Sequence, residues 1–265
     1  LRASAGSTKG YDLSVDERLR ITVLDDPSAL ADAAARLIVE AAREAVAARG
    51  RFLLALAGGA TPKATYRQLS QSPWRDLMPW TETWIFFGDE RAVPADHRES
   101  NYGMAHAALL SLVPVPSPQV FRMSGEAEDQ ECAAVEYGAA MERVFAVRRG
   151  ALPRFDLILL GLGVDGHTAS LFPYSPALKE SVRWVVSIHA AAAAIPARLT
   201  LTLPVLNAAG RVAFLVSGPE KAKVIRAVLR EGAMLPAALV RTEDGTVDWL
   251  IDRGAAAQLD APRRT

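Results

Sequence analysis

The sequence predicts an α/β fold: a single open, mostly parallel sheet of the Rossmann-like kind with helices on both faces. Short β-rich runs alternate along the chain with longer helical stretches, as in successive βα units. Several runs, among them "FLLAL" and "LILL", are apolar without alternation, the pattern of strands covered on both sides. Polar, Gly-containing segments follow the runs directly, and an open parallel sheet binds ligands at the carboxyl ends of its strands.

The elements follow in order. "RITVLD" (20–25) predicts the first strand, and Asp26-Pro27 forms a good N-cap and first-turn pair for an Ala-rich helix to Arg49. Further strands are expected at 51–59, 82–90, 155–163, 183–189, 198–203 and 211–218, with helices near 62–70, 101–111, 127–149 and 219–230. The Pro-rich "LVPVPSPQ" (112–119) reads as a surface connection. Residues 1–20 have the character of a tag remnant, a trimmed end or a disordered extension and are set aside; 21–265 are expected to form one domain.

Composition excludes several classes of function. Half of the 265 residues are apolar, enough for a large core, and 30 basic residues balance 30 acidic ones, so no global field draws in nucleic acid or an anionic membrane. An anion must be bound locally. The lone Cys132 cannot form an internal disulfide, and no apolar stretch reaches the ~20 residues that span a bilayer. The expectation is a cytoplasmic protein with no nucleic-acid or membrane partner; the sequence does not give the oligomeric state, and a monomer is favoured.

Polar chemistry concentrates after four of the strands. In "LALAGGATPKATY", Gly58 and Gly59 allow a tight turn, Thr61 can cap the next helix, and Pro62 suits its first turn. Helix N-terminal amides, with Ala60, Thr61 and Lys63 beside them, suit a phosphate, although an ordinary Gly-rich turn explains the stretch equally well. The pattern is not a P-loop. In "FFGDERAVPADHRESNYGM", Asp89, Glu90 and Arg91 follow a strand; Arg91 can grip a phosphate or carboxylate, or the triplet is simply a solvated loop. Asn101 is expected to cap the following helix, and His97 and His106 to be ordinary residues. In "SGPEKAKVIRAVL", Lys221 falls in the first turn of a helix, where a cation opposes the dipole; a bound anion or plain solvation accounts for it.

The richest stretch is "FDLILLGLGVDGHTASLFP" (155–173). It satisfies G-x-G-x-x-G through Gly161, Gly163 and Gly166, yet the acid that would hold a ribose at the end of the next strand is missing, and Asp165 would repel a pyrophosphate. The glycines instead free the backbone to present His167, with Asp165 close enough to orient its imidazole. That pair suits general-base catalysis, a structural His beside a capping Asp, or, less well, a metal site lacking a third ligand.

Together these segments resemble the 6-phosphogluconolactonase family, relatives of the glucosamine-6-phosphate deaminases. "AGGATPKATY", "WIFFGDERAVP", "SNYGMAHAALL", "FDLILLGLGVDGHTASLFP", "RLTLTLPVLNAA" and "SGPEKA" occur in family order between Leu24 and Leu259. The resemblance implies hydrolysis of a sugar-phosphate lactone, 6-phospho-D-glucono-1,5-lactone, in the oxidative pentose phosphate pathway, without nucleotide, catalytic metal or other cofactor. It implies His167 as general base supported by Asp165, and a phosphate grip formed by Gly58, Gly59, Ala60, Thr61, Arg91, Arg198 and Lys221. Asp89 matches the aspartate that shuttles a proton in the deaminases, where a glutamate five positions after the histidine completes a relay; that place here is Phe172.

Overall fold

The computed structural model describes residues 10–12, 18–148, 150–191 and 193–259. In chain order the elements are β1 (Gly10–Asp12), β2 (Leu19–Leu24), α1 (Pro27–Arg49), β3 (Phe52–Leu56), α2 (Ala60–Leu69), α3 (Trp74–Leu77), β4 (Thr83–Phe87), β5 (Asp89–Arg91), α4 (Asn101–Ala105), α5 (Gln130–Phe145), β6 (Leu157–Leu160), β7 (Val185–His189), β8 (Ala197–Leu201), α6 (Leu203–Asn207), β9 (Arg211–Val216), α7 (Ala222–Leu229), β10 (Thr246–Asp252) and α8 (Arg253–Ala256).

The first βα unit forms as its sequence dictates. Asp26 accepts a hydrogen bond from the Ala29 amide at 2.8 Å, Pro27 opens α1, and Gly50, at φ 72°, ends it. Seven strands make the main sheet in the order β1-β2-β10-β9-β6-β3-β4, parallel throughout except for the β1–β2 pair. Alternate residues of its strands divide between two cores. Leu54, Leu56, Phe87, Leu157, Leu159 and Leu215 pack with α1 and Tyr66 of α2. Leu53, Ala55, Phe86, Ile158, Leu160, Phe214 and Trp249 pack with α5, α7 and α8.

Three expectations are corrected. The sheet is not single: β5, β8 and β7 form a separate antiparallel sheet. The expected strand 82–90 breaks at Gly88, whose amide bonds to Leu56 of the main sheet (2.9 Å) while its carbonyl accepts from Leu201 of the small one (2.8 Å). The few residues between β7 and β8 are also too few for a parallel crossover, which needs a dozen or more, so the two strands pair as a hairpin. Secondly, the expected strands do not include β10; its acidic Asp248 and Asp252 disguise a strand that lies between β2 and β9. Thirdly, within the stretch set aside at the N-terminus, Gly10–Asp12 pair with β2, and β2 itself begins at Leu19. Residues 1–9 and 13–17 of that stretch lie outside the described residues.

The strand order positions the site. Within the main sheet β3 is followed by β4 on one side, whereas β6 is followed, after the chain has passed through β7 and β8 of the small sheet, by β9 on the other. The connections leaving β3 and β6 therefore diverge and open a crevice at the carboxyl ends of the strands, the topological switch point of an open α/β sheet. Among the described residues no helix is long and apolar enough to cross a membrane.

Phe86 anchors the core beneath this crevice. It is fully buried, stacks on Phe121 with ring centroids 4.7 Å apart, and meets Phe155 edge-on at 5.4 Å. Phe86→Ala should cost about 3–5 kcal/mol of stability, read as a lowered urea midpoint with an unchanged m-value; a loss under about 1 kcal/mol would show that the site collapses around the cavity.

Candidate active site

A cavity of about 350 Å³ occupies the switch-point crevice. Its walls come from the turns after β3 (Gly58, Gly59, Ala60, Thr61 and Pro62), β4 (Gly88, Asp89, Arg91), β6 (Gly161, Gly163, His167) and β9 (Ser217, Glu220, Lys221), with Arg198 from β8. Residues up to 164 positions apart in the sequence, Ala57 and Lys221, thus share one wall system. Asp165 stands behind His167, and Lys63 is not among the lining residues.

The turn after β3 is built for close approach. A Cβ on Gly58 would fall 1.9 Å from Oδ1 of Asn101, and Gly59 adopts φ 106°, a conformation reserved for glycine. Tyr66 pins the strand end, its hydroxyl donating to the Ala57 carbonyl and accepting from the Ala57 amide. Gly59, not Thr61, is the N-cap of α2, and no side chain caps that helix. Its leading amides are left for solvent or an anion.

The Asp89-Glu90-Arg91 triplet is not a solvated loop. Asp89 and Glu90 are 6% and 2% exposed. Glu90 accepts from the amides of Arg91, Asn101 and Tyr102 and from the Ser100 hydroxyl, which holds the start of α4 against β5. Burial nonetheless pushes its carboxyl up, against the pull of these donors. Ser100 is the N-cap of α4, accepting from the Gly103 amide; Asn101, expected in that role, instead donates through Nδ2 to the Asp89 carbonyl and to Asp89 Oδ1 at 3.0 Å. The other oxygen of Asp89 accepts from the Ser170 hydroxyl at 2.6 Å. Arg91 donates to the Glu99 carbonyl at 2.6 Å, but its buried Nε has no hydrogen-bond partner. His97 accepts from the Glu99 amide, and His106 leans on Tyr102.

Arg198 joins the same floor. It is 8% exposed, donates to the Ile195 carbonyl and reaches Ser170 Oγ at 3.4 Å. Burial draws its guanidinium down from the ordinary value, while Asp89 pulls the other way. An anion entering the cavity would meet a desolvated cation and restore part of the lost solvation.

Asp165 and His167 form the pair anticipated. The imidazole Nδ1 lies 2.6 Å from Asp165 Oδ1, which also accepts from the His167 amide at 3.1 Å. Burial pushes the Asp165 carboxyl up, but the His167 amide, the imidazole charge and the imidazole hydrogen bond together hold it below the usual carboxylate range. Opposite an ionised Asp165 the neutral imidazole carries its proton on Nδ1, which leaves the Nε2 lone pair free. Gly163 makes the pair possible, since a Cβ there would fall 2.1 Å from Nδ1 and 2.5 Å from Asp165 Oδ1. Thr168 braces the turn by donating to the Gly161 carbonyl at 2.8 Å. Among the described residues no three His, Cys, Asp or Glu side chains are grouped to hold a metal ion.

The last wall depends on a residue that sequence reasoning passed over. Asp252, at the end of β10, accepts from the Ser217 hydroxyl at 2.5 Å and from the Gly218 amide, and also caps α8 through the Ala255 amide. It fixes the turn that carries Lys221. Lys221 ends a 3-10 turn (Pro219–Lys221) ahead of α7. Ser170 and Asn101 were likewise missed in their roles, because their partners are distant in sequence.

Known proteins resemble this chain over nearly all of its length. The family described as glucosamine-6-phosphate isomerases/6-phosphogluconolactonase matches residues 25–249. The 6-phosphogluconolactonase of Homo sapiens is 40% identical over 249 residues, covering 91% of this chain and 94% of its own. Among solved structures, the 6-phosphogluconolactonase from Trypanosoma cruzi superposes with a TM-score of 0.82 at 30% identity, covering 95% of this chain and 100% of its own. A monomeric glucosamine-6-phosphate deaminase superposes with a TM-score of 0.74 at 25% identity, covering 90% and 99%. A switch-point cavity with its His–Asp pair, on a chain matched over nearly all its length, leads to one conclusion: the chain belongs to the glucosamine-6-phosphate isomerase/6-phosphogluconolactonase family.

Proposed function

We propose that this chain hydrolyses 6-phospho-D-glucono-1,5-lactone to 6-phospho-D-gluconate, with His167 as general base. The observation that carries the reading is the 2.6 Å contact of His167 Nδ1 with Asp165, in a cavity that Arg91, Arg198 and Lys221 also line. It is supported by the names of relatives such as the human enzyme.

A δ-lactone is an activated ester, so no protein nucleophile is needed. His167 Nε2 takes a proton from water as the water oxygen bonds to the lactone carbonyl carbon. Collapse of the tetrahedral intermediate breaks the bond to the ring oxygen, which leaves with the proton returned by the imidazolium. Asp165 holds the tautomer and offsets the transient charge. The phosphate is held by the N-terminus of α2 at Gly58, Gly59, Ala60 and Thr61, with Arg91, Arg198 and Lys221. Asp89, already bound by Ser170 and Asn101, shapes this floor rather than moving a proton. Phe172 occupies the place where the deaminase relay has a carboxylate, and a phenyl ring can neither accept nor donate a proton.

The direct test is an assay on freshly generated lactone with spontaneous hydrolysis subtracted. His167→Ala should lower turnover by about 10²–10⁴-fold while a substrate analogue still binds; near-normal turnover in the folded variant rejects His167 as base. Arg91→Ala and Lys221→Ala should each raise KM for the phosphorylated lactone far more than for unphosphorylated gluconolactone, and equal effects on both would place these side chains outside the phosphate grip. Glucosamine 6-phosphate should release no detectable ammonia. Deamination at a rate comparable to lactone hydrolysis would show that Phe172 does not separate the two reactions.

A further inference from the structure

Beyond replacing a carboxylate, Phe172 touches the base and one of the cations at once. Its ring lies 4.3 Å from the His167 imidazole, centroid to centroid, with the planes inclined by 31°. The guanidinium carbon of Arg198 stands 5.4 Å from the centre of the same ring. We propose that Phe172 is a positioning residue: its flat face sets the plane of the His167 imidazole and the place of the Arg198 guanidinium, and so the spacing between base and cation. The inference rests on the lactonase reading given above.

The physical need is specific. The hydrogen bond to Asp165 holds one nitrogen of His167 but leaves the ring free to tilt about that contact, and the side chain is partly exposed. An aromatic ring this close to the imidazole removes that freedom, because swinging away would sacrifice the ring–ring contact. Arg198 also donates to Ile195 and reaches Ser170, so the ring adds a cation–π contact to its restraint. An apolar neighbour also leaves both groups unspent. A charged side chain in this place would pair with Arg198 or bond to the imidazole, taking the donors and the lone pair that substrate and water require.

Phe172→Leu retains most of the bulk without the flat face, and Phe172→Tyr retains the face. Misplacing a catalytic group can cost up to about 10²-fold, so Leu should lower kcat by about 10-fold or more, whereas Tyr should stay within about 3-fold of wild type. The Hε1 proton resonance of His167, identified through His167→Ala, should move downfield in the Leu variant as the shielding ring is lost and hold its place in the Tyr variant. The proposal is overturned if Leu keeps kcat within about 3-fold of wild type, if Leu and Tyr are equally impaired, or if the resonance does not move in Leu. Should the Leu variant fail to fold, a nuclear Overhauser contact between the imidazole and Phe172 ring protons in the wild type supports the positioning contact, and its absence overturns it. A wild-type protein without lactonase activity would sink the functional reading, and the resonance comparison would still decide the positioning role.

Discussion

The divergence of the chain after β3 and β6 is the constraint on which the rest depends. Because β3 hands over to β4 and β6 to β9 in opposite directions, the space above their carboxyl ends cannot be filled by a connecting helix. What lines that space is whatever follows the strands directly. Those segments are the Gly58–Thr61 turn, the Asp89–Arg91 strand and the loop carrying Asp165 and His167. The apolar strands beneath them, covered on both sides by the two cores, make a rigid base for these short turns.

Buried polar groups hold the cavity floor in shape. Asp89 is engaged at both oxygens and Glu90 by four donors, so each carboxylate recovers by hydrogen bonding much of what it loses in leaving water. The cations are less completely matched. Arg91 keeps a buried Nε without a partner, and burial weighs against the charge of Arg198. An anion in the cavity would offset both deficits locally, on a chain whose formal net charge is zero.

Close approach of backbone to side chain is the second device. Gly163 lets His167 and Asp165 fold back over the strand end, and Gly58 leaves room for the Asn101 side chain that bonds to Asp89. In both places the space of the absent Cβ is occupied by the facing side chain. The turn carrying Lys221 is anchored differently, by the Asp252 carboxylate at the end of the neighbouring strand β10.

By itself the sequence determined the local terms: the βα alternation, the Asp26 cap of α1, the residues that follow each strand, and the pairing of Asp165 with His167 two positions later. Each of these depends on neighbours a few residues apart, where propensity and spacing speak directly. Tertiary structure alone decided what depends on distant partners. Gly88 passes the chain to a second sheet because Leu201 lies beside it; Glu90 is buried because α4 folds onto it; Asn101 serves Asp89 instead of a helix; and β10 enters the middle of the sheet despite its two aspartates, because Arg211 pairs with Asp248 and the Ser217 turn uses Asp252. A polar residue read alone is most economically placed in solvent, and only the partner brought to it by the fold makes its burial affordable.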